Sequence, residues 1–230
     1  MQDFDIVKET IPSDSFRVAS VIGKYDLQSK KITERFKGSI ELPDNWSIGL
    51  IVGASGTGKS TILNEVFSEY VKPSPVFTAT AVVDDMPQNA SMSEICKTFN
   101  SVGFSSPPSW LKPYYVLSNG EKMRVQLAKS LLEEHTAFAF DEFTSVVDRN
   151  VAKIGSLAMQ KAIRRTDKQF IACTCHNDVE PWLQPDWVFS TDDMRLKKKQ
   201  NIKSHQLTSK SLMQEHRKNS FGISLHATTI

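Results

Sequence analysis

The segment Gly53-Ala54-Ser55-Gly56-Thr57-Gly58-Lys59-Ser60 decides the fold of this chain. It fits the pattern G-x-x-x-x-G-K-[ST] at every fixed position, between an apolar run at residues 47–52 and a segment with helical apolar spacing. Glycines let successive backbone N–H groups curl around phosphate oxygens, a conformation that Cβ atoms would obstruct. The sequence therefore predicts a strand, a phosphate-binding loop and a helix in succession.

The chemistry of this loop follows from its donors. The positive end of the following helix favours anions, and we expect phosphate contacts from Gly53 to Thr61. Lys59 is placed to reach the outer phosphates, and the Ser60 hydroxyl is placed to ligate Mg²⁺. An ordinary glycine turn before a helix is disfavoured, because both the fixed positions and their context match.

Strand and helix patterns alternate along the rest of the chain. Strands are predicted at residues 16–22, 38–42, 47–52, 137–140 and 169–173. Helices are predicted after the loop, at 92–102 with Ser91 and Glu94 as a capping box, from Ser118 onward with Ser118 and Glu121 as a second capping box, and at 150–164 with Ile154 facing inward. The proline-rich residues 105–113 are predicted to form a loop. The alternation predicts an α/β fold, with a mainly parallel sheet flanked by helices, an N-terminal antiparallel β part and a reduced helical subdomain.

Two acids follow the apolar strand at 137–140. Asp141 and Glu142 are thereby delivered to the carboxyl edge of the sheet, where open α/β folds bind ligands. Asp141 is placed to hold the Mg²⁺ shell, and Glu142 to orient or deprotonate an attacking water. The alternative, that the pair merely caps the next helix, is weakened by the phosphate loop.

Charge is divided unevenly along the 230 residues. The net charge is +2, but residues 191–230 hold 8 Lys+Arg and 3 Asp+Glu, which gives +5 for the tail and −3 for the rest. We therefore predict one domain at 1–190 and a basic tail at 191–230. Its lysines could contact nucleic acid, although charge runs are usually solvated.

Cysteine usage and hydropathy indicate the compartment. The three cysteines have no framework spacing, no apolar run reaches 18 residues, and the N-terminus is acidic. The expectation is a cytoplasmic, soluble protein without membrane insertion. Cys173-Thr174-Cys175-His176 has a metal-like spacing, but no second ligand pair follows, so a metal site there is disfavoured.

The segment Leu117-Ser118-Asn119-Gly120-Glu121 selects among phosphate-loop families. It resembles the Leu-Ser-Gly-Gly-Gln signature of ABC-type ATPases, which opens a helix ahead of a strand ending in Asp-Glu. Asp141-Glu142-Phe143-Thr144-Ser145-Val146-Val147-Asp148 is similar to that family's Asp-Glu-Pro-Thr-Ser-x-x-Asp. His176 matches the switch histidine, and Gln88 in Met86-Pro87-Gln88-Asn89 is similar to the glutamine loop.

The resemblance implies a mechanism and its residues. ATP and Mg²⁺ would bind at the phosphate loop, with Gln88 joining Ser60 and Asp141 at the metal. Two protomers would clamp two ATPs head to tail, so that Ser118, Asn119, Gly120, Glu121 and Asp148 reach the partner's nucleotide. Glu142, His176 and Lys59 would be catalytic. Tyr25 would stack on adenine, with a buried strand-end tyrosine as the equal alternative.

Three residues depart from the family pattern. Asn119 replaces a glycine, Glu121 replaces the glutamine and Phe143 replaces a proline. Glu121 would place negative charge beside a triphosphate unless its side chain folds back onto the helix cap.

The spacing between motifs narrows the subgroup. Only 58 residues separate Lys59 from Ser118, too few for a membrane-docking helical subdomain or a long coiled-coil insertion. In its runs at residues 108–114, 117–121, 144–149, 174–176 and 182–187, the chain resembles compact, stand-alone prokaryotic and phage ABC-type ATPase domains, some of which are fused to GNAT acetyltransferases. The tail is too short for an acetyltransferase.

Three functions stay open at this point. The first is an ATP hydrolase that acts on nucleic acid or a partner protein through nucleotide-dependent dimerisation. The others are the ATP-binding subunit of a membrane transporter, and a non-hydrolysing nucleotide sensor suggested by Asn119 and Glu121.

Overall fold

The structure is a computed structural model that describes residues 2–27 and 31–199. Its strands are β1 (Gln2–Thr10), β2 (Ile32–Ile40), β3 (Ile48–Val52), β4 (Ala137–Phe140), β5 (Gln169–Thr174), β6 (Trp187–Ser190) and β7 (Arg195–Lys198). Its helices are α1 (Phe16–Lys24), α2 (Lys59–Val66), α3 (Met92–Ser101), α4 (Pro107–Trp110), α5 (Asn119–Leu132), α6 (Arg149–Ile163) and α7 (Glu180–Leu183). Short 3-10 turns occur at Ser68–Tyr70, Tyr114–Val116 and Asn177–Val179.

The main sheet has five strands in the order β4-β5-β3-β6-β7. The first four are parallel, and β7 runs antiparallel to β6. A second sheet pairs β1 with β2 in antiparallel fashion. The predicted α/β class, with a mainly parallel sheet and an N-terminal antiparallel part, is confirmed. Because β4, β5, β3 and β6 point the same way, the loops that follow them meet at one edge of the sheet.

Two hydrophobic cores lie on opposite faces of this sheet, and all five residues of β3 are buried. Ile48, Leu50 and Val52 face the core shared with α3, α5 and α6, whereas Ile51 faces the core of α2 and β2. This alternation follows from the two-residue period of a strand. Burial on both faces explains why the run is continuously apolar.

The N-terminal arm differs from the prediction. Residues 16–22 were expected to be a strand, but they belong to α1. Ser15 caps the start of this helix, because its hydroxyl accepts the Val18 N–H at 3.2 Å. Val18, Val21, Ile22 and Tyr25 have helical spacing, which the alternation of Phe16, Val18 and Ile22 concealed. Strand β1 was not predicted, and it supplies the partner for β2, which ends near the predicted strand at 38–42.

The helical region between the phosphate loop and β4 is small. Helix α3 begins at Ser91, which forms the expected capping box with Glu94. The predicted loop at 105–113 contains one helical turn, α4, because proline at the first helical position has the required φ and needs no partner for an N–H. The prediction for Ile154 was wrong, since it is 55% exposed. Helix α6 instead buries Gly155 and Met159, because glycine permits close contact with Met123.

The C-terminal end of the sheet lies beyond the boundary predicted at residue 190. Strand β7 pairs with β6 through four register pairs, from Trp187↔Lys198 to Ser190↔Arg195. The sheet therefore extends to Lys198. The remainder of the predicted basic tail, from residue 200 onward, lies outside the described residues. None of the described helices combines the length and the apolar composition needed to cross a bilayer.

Gly49 gives a test of the core around β3. A Cβ atom there would lie 2.0 Å from Cζ2 of Trp187, a fully buried ring stacked on Phe67 at 5.4 Å. We expect Gly49→Ala to lower the free energy of unfolding by about 3 kcal/mol, because the indole cannot move aside. Gly23→Ala in α1 is the matched control: its Cβ meets nothing within 4 Å, and a gain of about 0.5 kcal/mol is expected. Urea denaturation measures both, and equal effects would contradict the packing argument.

Candidate functional site

The phosphate loop has the backbone shape that its glycines predict. Gly56 and Gly58 have φ of +82° and +86°, a region that other residues avoid. Gly58 directly precedes α2, whose first-turn N–H groups have no intrahelical acceptor and therefore form a positive end. A Cβ at Gly58 would also lie 2.2 Å from the Phe36 ring. The loop thus requires glycine both for its conformation and for its contact with β2.

Side chains of the loop form a compact network. Lys59 Nζ donates to the Ala54 carbonyl at 2.7 Å, and the Thr57 hydroxyl donates to the same carbonyl at 2.8 Å. Ser60 is exposed at the start of α2. A cationic amine, a hydroxyl and unpaired N–H groups are therefore presented together, as recognition of a polyphosphate requires.

The acid pair follows β4 in a strained turn. Asp141 Oδ1 accepts the Glu142 N–H at 2.9 Å, and Glu142 and Thr144 have φ of +55° and +66°. Between them, Phe143 is fully buried, with its ring centre 5.7 Å from that of Phe170. Its N–H donates to the Cys173 carbonyl at 2.8 Å. Phe143 therefore anchors the turn where the resembled family has proline, and the anchoring offsets the backbone strain.

The phosphate loop and the acid pair meet around Cys173. This residue is opposite Ile51 in the register of β5 and β3, and its neighbour Ala172 is opposite Phe140, which directly precedes Asp141. Burial, together with the charges of Asp141 and Glu142, raises the pKa of the thiol, while Lys59 acts in the opposite direction. The ammonium and both carboxylates thus act on one buried atom. Cys173 is a neutral spacer in the site, and Cys175 lies beyond the end of β5.

His176 lies at the same edge, just after β5. Its backbone N–H donates to Thr174 Oγ1 at 3.2 Å, and it precedes the turn Asn177–Val179. That turn is tied to the start of α6, because Arg149 forms a bidentate pair with Asp178, with Nε 3.0 Å from Oδ2. The guanidinium also lies 5.5 Å from the ring centre of Trp182. The Arg149–Asp178 ion pair thereby joins the turn after His176 to the segment that follows the acid pair.

Several buried polar atoms in these two segments have no hydrogen-bond partner within the described residues. They are Thr144 Oγ1, Ser145 Oγ, Arg149 Nη1 and His176 Nδ1. Buried polar atoms are normally paired, and functional sites are where exceptions concentrate. The loop from Glu142 to Arg149 therefore combines backbone strain with unmet hydrogen bonding.

The signature segment forms a complete capping box. The Ser118 hydroxyl accepts the Glu121 N–H at 3.3 Å and donates to Glu121 Oε2 at 2.8 Å, and the Ser118 N–H donates to the same oxygen at 3.0 Å. The Ser109 hydroxyl donates to Glu121 Oε1 at 2.8 Å. The Ser118 N–H bond, together with the two hydroxyl donors, holds the pKa of Glu121 below its ordinary value, despite partial burial. The Glu121 carboxylate thus folds back onto the helix cap.

The start of α5 lies close to the acid pair. Asn119 and Glu142 line a cavity of about 200 Å³ together with Thr144 and Val146. A second cavity of about 340 Å³ lies against β4 and includes Asp141 and Glu142. Gly120 permits the close packing of α5 on α6, since a Cβ there would lie 2.9 Å from Val151 Cγ1.

Three predicted site residues, Tyr25, Gln88 and Asp148, lie outside the contacts around the acid pair described above. Tyr25 ends α1 with 64% exposure, so it is not a buried strand-end residue, and the aromatic ring that touches the phosphate loop is Phe36. Gln88 is exposed in a turn before α3 and lines neither cavity beside Glu142. Asp148 caps α6, with Oδ1 accepting the N–H groups of Asn150 and Val151 at 2.9 and 3.1 Å.

Two residues at the site were not predicted. Thr191 and Asp192 follow β6, and Asp192 Oδ1 accepts the Ala54 N–H at 2.9 Å. Their signal in the sequence is the one that identified Asp141 and Glu142, a polar pair directly after an apolar strand. The boundary placed at residue 190 assigned them to the tail instead.

No family model matches the sequence, and no curated protein matches it. Among solved structures, the fold is similar to that of the ATP-binding cassette MJ0796. Its dimeric post-hydrolysis state bound to ADP and Pi gives a TM-score of 0.56 at 14% identity, over 74% of this chain and 94% of that one. A dimeric structure of the same protein, described as a bacterial ABC transporter cassette, gives 0.53 at 14% identity and the same coverage.

A bacterial Atm1-family ABC exporter with ATP bound gives a TM-score of 0.50 at 19% identity, over 66% of this chain. The match spans only 33% of that exporter's length. At these identities the likeness shows the fold alone, which is similar to that of the cassettes in these structures.

The capping box of α5 gives a prediction for pH. Because the pKa of Glu121 is lowered in the folded state, its charge stabilises the protein above the ordinary carboxyl pKa of 4.5, and this stabilisation is lost as the pH falls through the folded value. Glu121→Gln keeps an acceptor but cannot titrate. We expect wild type to exceed this variant in free energy of unfolding by about 0.5 kcal/mol at pH 7.

Urea denaturation at pH 7, 5 and 3 measures the difference, which should shrink as the pH falls. Glu94→Gln, in the matching box of α3, should behave in the same way, because the pKa of Glu94 is lowered by the same contacts with its serine. A difference for Glu121→Gln that is constant from pH 7 to 3 would contradict the assignment.

Proposed function

We propose that this protein is an ATP hydrolase of the ABC type that binds Mg-ATP at the phosphate loop and acts through nucleotide-dependent dimerisation. The observation that carries the proposal is that β3 and β4, both paired with β5, bring the loop of Lys59 and the acids Asp141 and Glu142 to the same carboxyl edge of the sheet, on either side of Cys173. A phosphate loop alone supports binding. A carboxylate pair beside it supports hydrolysis.

The donor set fits a magnesium ion bound with nucleotide. Ser60 offers an exposed hydroxyl and Asp141 a carboxylate, and Mg²⁺ prefers oxygen ligands while keeping several waters. When bound, the ion would neutralise charge on the phosphate oxygens. Gln88 was expected to join these ligands, but its exposed turn gives no support for that role.

Glu142 is the proposed general base. Its carboxylate would accept a proton from a water as the water oxygen bonds to the γ-phosphorus and the bond to the β–γ bridging oxygen breaks. Lys59 would hold the outer phosphates, and the positive end of α2 would stabilise their charge. His176, whose buried Nδ1 has no hydrogen-bond partner within the described residues, would contact the γ-phosphate from the end of the neighbouring strand.

Dimerisation is proposed from the outward-facing segments. Both MJ0796 structures are described as dimeric, and in this chain Tyr115, Val116 and Val146 are 77%, 53% and 64% exposed beside Ser118 and Asp148. Head-to-tail pairing would cover these apolar side chains and bring Ser118 and Asn119 to the partner's ATP. The folded-back Glu121 removes the objection that its charge would repel the triphosphate.

The load is proposed to be nucleic acid or a partner protein. A transporter subunit is the second candidate, because the similar structures are described as a transporter cassette and an exporter. Copurification with a protein that has membrane helices would favour that candidate. The pull-down partner of an ATP-locked Glu142→Gln protein separates the two.

The variant Glu142→Gln tests both hydrolysis and dimerisation. We expect kcat to fall by at least about 100-fold, because a general base is lost, while the Kd for ATP changes less than about threefold. Light scattering should show an ATP-dependent dimer of this variant. Lys59→Ala should instead weaken ATP binding more than about tenfold.

The matched control is Glu94→Gln, an acid in a capping box away from the sheet edge, which should hydrolyse ATP as wild type does. Wild-type protein that binds ATP without turnover would establish a nucleotide sensor instead. A monomeric Glu142→Gln protein at saturating ATP would contradict the dimer.

A further inference from the structure

The turn that connects β6 to β7 contacts the phosphate loop, and the proposed hydrolysis does not use it. It begins with Thr191 and Asp192, directly after the buried residues Trp187 to Phe189. The pairing of β7 with β6 fixes both ends of the turn. The turn is therefore held by the sheet and not by the loop that it touches.

Asp192 contacts the start of the loop. Its Oδ1 accepts the Ala54 N–H at 2.9 Å, and a bond to a carboxylate is stronger than one to a neutral acceptor. Ala54 in turn receives Lys59 Nζ and the Thr57 hydroxyl on its carbonyl. One carboxylate therefore holds the residue on which two loop side chains converge.

Thr191 contacts the loop further along the chain. It is only 3% exposed, and its hydroxyl lies 2.6 Å from that of Thr57. The two hydroxyls thus share a hydrogen bond, and the Thr191 hydroxyl also lies 3.4 Å from the Val52 carbonyl. The Thr191 N–H also donates to the Val52 carbonyl at 2.9 Å, at the last residue of β3.

Gly53 shows how closely the turn and the loop approach. A Cβ at this position would lie 2.2 Å from Thr191 Oγ1, 2.8 Å from Thr57 Oγ1 and 3.2 Å from Asp192 Oδ1. No side chain fits between them. The first glycine of the phosphate loop is thus required by the turn after β6, and its φ is not in the positive range.

We propose that Thr191 and Asp192 are positioning residues that hold the root of the phosphate loop in its phosphate-binding shape. The role rests on the proposed ATP binding. Residues 55–58 include two glycines in the positive φ range and would otherwise sample many conformations. Fixing Ala54 and Thr57 from a strand-anchored turn lowers the entropy cost of ordering the loop around phosphate.

Paired substitutions test this role through the Kd of a fluorescent ATP analogue. Asp192→Ala removes the acceptor and should raise Kd about tenfold, whereas Asp192→Asn keeps an amide oxygen and should stay within about twofold of wild type. Thr191→Val should raise Kd about fivefold, and Thr191→Ser should restore it. In each weakened variant KM should rise while kcat at saturating ATP changes less than about twofold.

Asp193→Ala is the matched control, because Asp193 is the neighbouring exposed acid of the same turn and should leave Kd unchanged. A purely structural role would lower the melting temperature without altering Kd, and would overturn the proposal. Equal effects of Asp193→Ala and Asp192→Ala on Kd would also overturn the proposal. If Thr191→Val fails to fold, the two Asp192 variants decide.

Amide hydrogen exchange of the free protein gives a readout independent of nucleotide. Exchange over residues 53–58 should be faster in Asp192→Ala than in wild type, Asp192→Asn or Asp193→Ala. Unchanged exchange would overturn the positioning role. If wild type does not bind the analogue, the proposed ATPase fails, and the exchange comparison still decides whether the turn orders the loop.

Discussion

Strand β3 is enclosed by side chains on both faces, and the phosphate loop leaves it at its carboxyl end. Its hydrogen bonds to β5 on one side and β6 on the other leave no freedom in register, because a one-residue shift would exchange the two cores. The functional residues follow this strand or strands that pair with it directly or through β5. The acid pair follows β4, which pairs with β5, and the turn that contains Thr191 and Asp192 follows β6.

The edge of the sheet explains how residues far apart in sequence act together. Parallel strands must end on the same side, so Lys59, Asp141, His176 and Asp192 are neighbours although they span most of the described chain. Contacts with the core and with β3 fix the backbone near these residues. Phe143 packs into the core beside the acid pair, and the Thr191 N–H donates to the Val52 carbonyl next to the phosphate loop. The Arg149–Asp178 pair ties the adjoining segments. Among the described residues, the segment from Glu142 to Arg149 combines backbone strain with unmet hydrogen bonds.

The departures from the resembled signature have local physical explanations. Glu121 in place of glutamine completes a capping box and receives the Ser109 hydroxyl, so its charge is satisfied within the chain. Phe143 in place of proline exchanges a restricted φ for buried aromatic contacts. Asn119 lines the cavity that also contains Glu142.

The sequence by itself determined the phosphate loop, the acid pair, both capping boxes and the α/β class. These features depend on neighbouring residues, through glycine conformations, strand and helix periods and hydrogen bonds three residues apart. Only the tertiary structure decided that β1 pairs with β2, that Phe36 touches the loop, and that Thr191 and Asp192 contact its start. Each of these depends on contacts between segments distant in the chain. The pairing of β3 with β6 brings Thr191 to Val52, and no local pattern records that distance.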